Sequence, residues 1–164
     1  MSKSLENLKA AFAGESQANR KYLAFADAAE KEGLIGVSKL FKAAAAAETI
    51  HAHTHLRTMK GVGTTAENLK EAIAGETYEF KSMYPEMIEQ AQAEGDKGAE
   101  RTFNLANEVE KVHAKLYSDA AANPAAYPDQ DWYVCSVCGY TVAGGAPDDC
   151  PVCKAKAKAF FKVD

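Results

Sequence analysis

Long apolar runs are missing from this sequence. No stretch approaches the roughly 20 residues that a membrane-spanning helix needs, and the opening Met1-Ser2-Lys3-Ser4-Leu5-Glu6 holds no apolar core of the secretory type. Basic clusters with interleaved aromatics are missing as well, which removes nucleic acid from the expected partners. No cysteine occurs outside residues 135–153, so disulfides cannot staple the bulk of the chain. Of the five prolines only Pro85 precedes residue 124, so the first 120 or so residues are almost free of helix breakers. The expectation is a cytoplasmic protein without a membrane segment, built largely of long helices.

The composition that remains is ordinary for a soluble globular protein, with 47% hydrophobic and 26% charged residues in a chain of 164. The formal net charge of −4 says nothing about a partner, because several of the acids are candidate metal ligands.

Hydrophobic period and cap residues predict four helices, at about 4–31, 34–59, 64–94 and 99–121. Ser4 is the expected N-cap of the first and Gly33 its stop. Thr64-Thr65-Ala66-Glu67 fits a capping box for the third. Pro85 lies inside that helix and should kink or loosen it. The inward stripe of the first helix reads Leu5, Leu8, Phe12, Glu15, Ala18, Tyr22, Phe25. That of the second reads Val37, Phe41, Ala44, Glu48, His51, His55. Acidic and imidazole groups on an apolar stripe need partners, because an unpaired buried charge is costly.

The helical part repeats itself. Glu6-Asn7-Leu8-Lys9 returns as Glu67-Asn68-Leu69-Lys70, and Ala13-Gly14-Glu15-Ser16 as Ala74-Gly75-Glu76-Thr77. One residue further on in register, Glu48 and His51 return as Glu110 and His113. Residues three apart share a helix face, so each Glu-x-x-His presents both groups to one side. A lone Glu-x-x-His recurs by accident. Two copies in repeat register, each with a glutamate from a neighbouring helix, match a bundle that holds two metal ions. Glu79 breaks the symmetry, since Ala18 stands at its counterpart. The metal set is therefore Glu15, Glu48, His51, Glu76, Glu79, Glu110 and His113. Carboxylate and imidazole together suit iron or manganese. Tyr22 and Tyr84 lie near the set by spacing and could hydrogen-bond a ligand carboxylate. His53 should face solvent, and His55 should support the site rather than ligate.

Cys135-x-x-Cys138-Gly139 and Cys150-Pro151-x-Cys153 form two knuckles after a linker punctuated by Pro124 and Pro128. Four thiolates at this spacing favour tetrahedral iron or zinc. So short a segment cannot bury enough apolar area to fold unaided, so its metal should be structural. Trp132, Tyr133, Tyr140, Phe160 and Phe161 are its expected miniature core. The expected domains are 1–122 (helical bundle), 123–131 (linker) and 132–164 (thiolate domain).

The two constellations in this order resemble rubrerythrins over nearly the whole chain. The resemblance implies a ferritin-like di-iron four-helix bundle followed by a rubredoxin-like domain, in a mainly α protein. It implies that Glu48 and Glu110 bridge two irons, with Glu15 and Glu76 terminal and His113 on the second iron. Glu79 and His51 would alternate on the first iron with oxidation state, which makes both catalytic. Cys135, Cys138, Cys150 and Cys153 would hold one further iron, or zinc in recombinant material. The implied activity is reduction of hydrogen peroxide to water in oxidative-stress defence. Electrons would come from an external donor, rubredoxin or its NAD(P)H-dependent reductase. Iron oxidation or storage, and a zinc-dependent structural role, are the competing readings. A store needs no built-in one-electron relay.

One spacing departs from a ferritin-like bundle, in which the second and third helices run parallel. The crossover between them would have to span roughly 33 Å, whereas residues 60–64 reach at most about 18 Å. Either the bundle runs simply up and down, or the helix ends unwind, or hairpins are exchanged in a domain-swapped homodimer. The capping box at Thr64 argues against unwinding, and the exchange is the expected outcome.

Overall fold

The computed structural model describes residues 2–163. The chain divides between Gly63 and Thr64 into two compact units.

The first unit is a helical hairpin of α1 (Lys3–Lys31) and α2 (Ile35–Thr58). The N-cap of α1 is Ser2, not the expected Ser4: its side chain accepts from the Leu5 N–H at 3.3 Å. That choice puts Glu6 in the first turn, against the positive end of the helix dipole. Gly33 stops the helix as expected. It takes φ 79°, and the Gly33 and Leu34 N–H groups return to Glu30 and Ala29, a Schellman turn that suits a residue without Cβ.

The seam between α1 and α2 is built of small side chains. Ala26, Ala29, Ser38, Ala45 and Ala52 are buried there, with Asn19. Asn19 spends both amide hydrogens across the seam, on the Ala45 carbonyl (2.7 Å) and Thr49 Oγ1 (2.8 Å). The ligand stripe is a different face. Tyr22, Phe25 and Phe41 cluster on it with ring centroids 5.6–6.4 Å apart, yet Phe25 and Val37, both expected inside, are over two-fifths exposed. Two helices bury one face each against the other, and a second apolar face needs a further layer to cover it.

The second unit opens with α3 (Thr65–Tyr78), whose capping box between Thr64 and Glu67 is complete. The expected continuous third helix is interrupted. A π-helical segment, Glu79–Met83, separates α3 from α4 (Tyr84–Glu94). Pro85 supplies the reason. In an unbroken α-helix its ring would strike the carbonyl four residues back, at Lys81, and it has no N–H to donate. The chain widens by one residue instead, and the Tyr84 N–H reaches the Glu79 carbonyl.

Asp96 caps α5 (Lys97–Ala122) through a 2.9 Å bond from the Ala99 N–H, so α5 starts two residues earlier than expected. A short 3-10 turn, Pro124–Ala126, leads to an antiparallel sheet of order β2-β1-β3. Its strands are β1 (Trp132–Cys135), β2 (Thr141–Ala143) and β3 (Phe160–Val163). Tyr140 packs edge-on against Phe160 at 6.4 Å, and Trp132 stacks on Tyr127. Phe161 leaves the expected core and is 53% exposed. Consecutive strand residues point to opposite faces, so Phe160 and Phe161 cannot both turn inward. Among the described residues no helix is long and apolar enough to cross a membrane.

Candidate metal centres

Three groups of ligand-type side chains converge, each with its ligand atoms within 4.8 Å of one another. The first is Glu15 from α1 with Glu48 and His51 from α2. His51 Nδ1 lies 3.0 Å from Glu48 Oε2. The hydrogen bond with His51, and then that with Glu15, holds the Glu48 carboxyl below the usual carboxylate range. His51 is the open member, with a side chain 55% exposed.

The second group is Glu76 from α3 with Glu110 and His113 from α5. His113 Nδ1 stands 2.8 Å from Glu110 Oε2 and 3.9 Å from Glu76 Oε1. Burial, then the hydrogen bond and charge of Glu110, push the Glu76 carboxyl up to about 7. Glu79 lies beside this group at the head of the π segment. Burial and the Glu110 charge raise its carboxyl, and His113 partly offsets them. The Tyr84 hydroxyl is raised by burial and then by Glu110, Glu79 and Glu76, which places it at the same acidic cluster. Tyr22 makes ring contacts with Phe25 and Phe41. His53 is exposed and His55 half-buried.

The two groups differ in charge. The first carries two carboxylates and one imidazole, and the second three carboxylates and one imidazole. Like charges crowded away from water stabilise a cation in place of the proton they otherwise keep. This donor set fits iron or manganese.

The third group is Cys135, Cys138, Cys150 and Cys153, all free thiols. Cys135 and Cys153 sulfurs are 3.7 Å apart, and those of Cys138 and Cys150 3.6 Å. A disulfide would need about 2.05 Å. A tetrahedron with metal–sulfur bonds of about 2.3 Å has edges near 3.8 Å, which these spacings fit. Burial raises the Cys138 and Cys153 thiols, while backbone N–H groups and the neighbouring thiols bring Cys150 down despite its burial. Such thiols give up their protons to a metal.

Comparison with known proteins bears on what these groups are. The rubrerythrin family model matches residues 6–121, and the model for the rubredoxin-like domain of rubrerythrins matches residues 133–161. The chain belongs to the rubrerythrin family. Rubrerythrin-2 of Clostridium acetobutylicum is 37% identical over 170 residues, covering 93% of this chain and 92% of that protein. Nigerythrin of Nitratidesulfovibrio vulgaris is 40% identical over 164 residues, covering 91% and 81%. The solved structure of partially reduced nigerythrin aligns with 99% of this chain and 88% of its own, at 35% identity and a TM-score of 0.60. Rubrerythrins carry a di-iron site and a rubredoxin-like iron on four cysteines, and the three side-chain groups supply donors for both. The protein is thus a di-iron, rubredoxin-like member of an oxidative-stress family.

Two residues at these rubrerythrin groups escaped sequence reasoning. Asn19 ties α1 to α2 one turn beyond Glu15. Thr141 on β2 meets His113 Nε2 at 3.0 Å. An amide in the middle of a long helix was a legible signal for the first. The second had none, because 28 residues separate the partners.

The raised Glu76 carboxyl has a measurable consequence. Its ordinary value is 4.5, so between about pH 4.5 and 7 the unfolded chain has lost this proton while the folded metal-free chain keeps it. Stability of protein stripped of iron at the carboxylate groups therefore falls as pH rises through that window and levels off above it. The full shift corresponds to about 3 kcal/mol; with the side chain one-fifth exposed, about 2 kcal/mol is expected. Glu79 acts with the same sign, and the carboxyls held low change only below this window. Urea unfolding at pH 5 and pH 8 measures the loss, and bound ferrous iron should abolish it.

Proposed function

We propose that the protein is a hydrogen peroxide reductase whose di-iron site is refilled with electrons through its thiolate iron. The observation that carries this is the coexistence of a carboxylate–imidazole ligand set with a four-thiolate relay in one chain. Glu15, Glu48, Glu76, Glu110 and His113 would hold the two irons, and Glu79 and His51 would serve as alternative ligands to one of them. Two ferrous ions bound there supply the two electrons that peroxide cleavage requires. An exchange of Glu79 for His51 on reduction would remove a negative charge as the centre lost positive charge and would keep the ligand set near charge balance. The π segment at Glu79 supports this role, because a widened turn lets that carboxylate move without breaking a regular helix. Tyr84 holds a neutral hydroxyl at the carboxylates. Tyr22 lines the aromatic wall of the same helix face. An external donor, rubredoxin or its NAD(P)H-dependent reductase, supplies the electrons, and the reaction belongs to the cytoplasm.

Each di-iron site takes Glu15, Glu48 and His51 from one chain and Glu76, Glu79, Glu110 and His113 from another, in a homodimer that exchanges hairpins. The uncovered ligand face of α1 and α2 supports this. So does the short connection, in which α2 ends at Thr58 and a complete capping box starts α3 at Thr64.

Elemental analysis of protein reconstituted with ferrous iron should give about three irons per chain, two at carboxylates and one at thiolates. Anaerobically reduced protein mixed with equimolar hydrogen peroxide should reoxidise faster than with dioxygen. Preference for dioxygen with iron accumulating beyond that ratio would instead mark a ferroxidase, and zinc alone at the cysteines a structural protein.

A further inference from the structure

The two ring nitrogens of His113 stand in different settings. Nδ1 faces the carboxylates, 2.8 Å from Glu110 and 3.9 Å from Glu76. Nε2 faces the other way, 3.0 Å from Thr141 Oγ1. A threonine hydroxyl has a single proton to donate. Thr141 donates it to the Gly139 carbonyl at 3.0 Å. Its oxygen can then only accept, so His113 Nε2 carries a hydrogen. In the neutral ring the Nδ1 lone pair is left pointing at Glu110. Two acceptors 2.8 Å apart repel unless a positive charge lies between them. The network thus fixes which nitrogen is offered to a metal.

The same network ends in the thiolate domain. Gly139 directly follows Cys138, and its own N–H donates to the Cys135 carbonyl at 2.8 Å. Gly139 takes φ 85°, a conformation side chains avoid. A Cβ added there would sit 3.8 Å from Val109 of α5, so the knuckle rests on the helix that carries Glu110 and His113. The His113–Thr141 bond lies in the wall of a cavity of about 290 Å³ that also includes Leu69, Leu116, Tyr117 and Trp132. Apolar neighbours of this kind strengthen a hydrogen bond.

We propose that Thr141 is a positioning residue for the di-iron site. Its hydroxyl holds His113 in the Nε2–H form and ties that ligand to the Cys138–Gly139 turn of the same chain. The inference rests on the di-iron reading given above. It makes β2 part of the carboxylate centre's support, and it makes the two centres of one chain mechanically continuous. With iron bound at both sites, a carboxylate centre oxidised by peroxide would draw one electron from the thiolate iron of that chain, whose ferrous ion would become ferric. No bond or proton changes at Thr141.

Thr141→Val keeps the shape and the β-branched character that suit β2, opposite Val134, and removes only the hydroxyl. Thr141→Ser restores the hydroxyl in a smaller residue. Iron-loaded wild type and both variants are compared by two readouts. The first is ferrous binding at the carboxylate centre, by anaerobic competition with a ferrous chelator. The second is the rate at which ferric-thiolate absorbance appears after reduced protein meets one equivalent of hydrogen peroxide. Thr141→Val is expected to weaken ferrous binding about 10- to 100-fold and to slow the absorbance rise by a similar factor. Thr141→Ser should stay within about threefold of wild type in both. An unchanged thiolate spectrum shows that the small domain is folded; should valine disturb it, Thr141→Ala takes its place. The proposal is overturned if the hydroxyl-free variant matches wild type, or if the serine variant is as impaired as valine. Wild type that takes up thiolate iron but none at the carboxylates would overturn the di-iron reading itself, and this inference with it.

Discussion

A chain carrying Glu48→Ala and a chain carrying Glu110→Ala should each lose peroxide turnover to background, and a mixture of the two, unfolded and refolded together, should regain it. In the exchanged dimer each site combines the first hairpin of one chain with the second hairpin of the other. A mixed dimer therefore pairs the intact first hairpin of the Glu110→Ala chain with the intact second hairpin of the Glu48→Ala chain. The opposite site in that dimer carries both lesions. Random pairing makes half the dimers mixed with one intact site each, so about a quarter of wild-type turnover should return. A bundle closed within one chain gives no recovery, because every site then keeps its own lesion. Turnover in the mixture that stays at background would refute the exchange while leaving the ligand assignment standing. Each single variant serves as its own control, since Glu48 and Glu110 are side chains of half-buried helix positions and alanine favours helix.

Cys150→Ser should unfold the carboxyl-terminal domain and leave the helices in place. The sheet has strands of three or four residues. Among the described residues from Trp132 onward, the fully buried side chains are Cys135 and Cys150, both of them ligands. Metal therefore occupies the place of a hydrophobic core, and structural sites of this kind contribute on the order of 10 kcal/mol to folding. The variant should lose ferric-thiolate colour and the amide dispersion of β1, β2 and β3, with helical circular dichroism nearly unchanged. Reduced protein should still oxidise once with peroxide, but repeated turnover from an external donor should stop. A variant that keeps its sheet dispersion without metal would show that the aromatics at Tyr140 and Phe160 suffice as a core.

These expectations divide along a line visible in particular residues. Glu15, Glu48, His51, Glu76, Glu110 and His113 could be read from the sequence because helix spacing and an internal repeat are local properties. The cysteine knuckles could be read for the same reason. The interruption at Glu79 was half legible: Pro85 signalled a break, but whether the chain kinks or widens depends on how the Lys81 carbonyl is relieved. Ser2 displaced Ser4 as a cap because two serines offered the same chemistry two residues apart. Phe161 was misplaced because hydrophobicity says that a side chain would be stabilised by burial, not that anything covers it, and Phe25 and Val37 stay exposed in the single chain for want of a covering layer.

The sequence by itself determined the helices, the repeat, the donor sets and the family. Only the tertiary structure decided that the seam of α1 and α2 runs through alanines and Asn19 rather than through the ligand stripe. It alone joined His113 to Thr141 and Gly139. Periodicity is set by backbone geometry within one or two turns, so it is written in neighbouring letters. Contacts between segments far apart in the chain are selected by shape and hydrogen-bond satisfaction in space, which no spacing records.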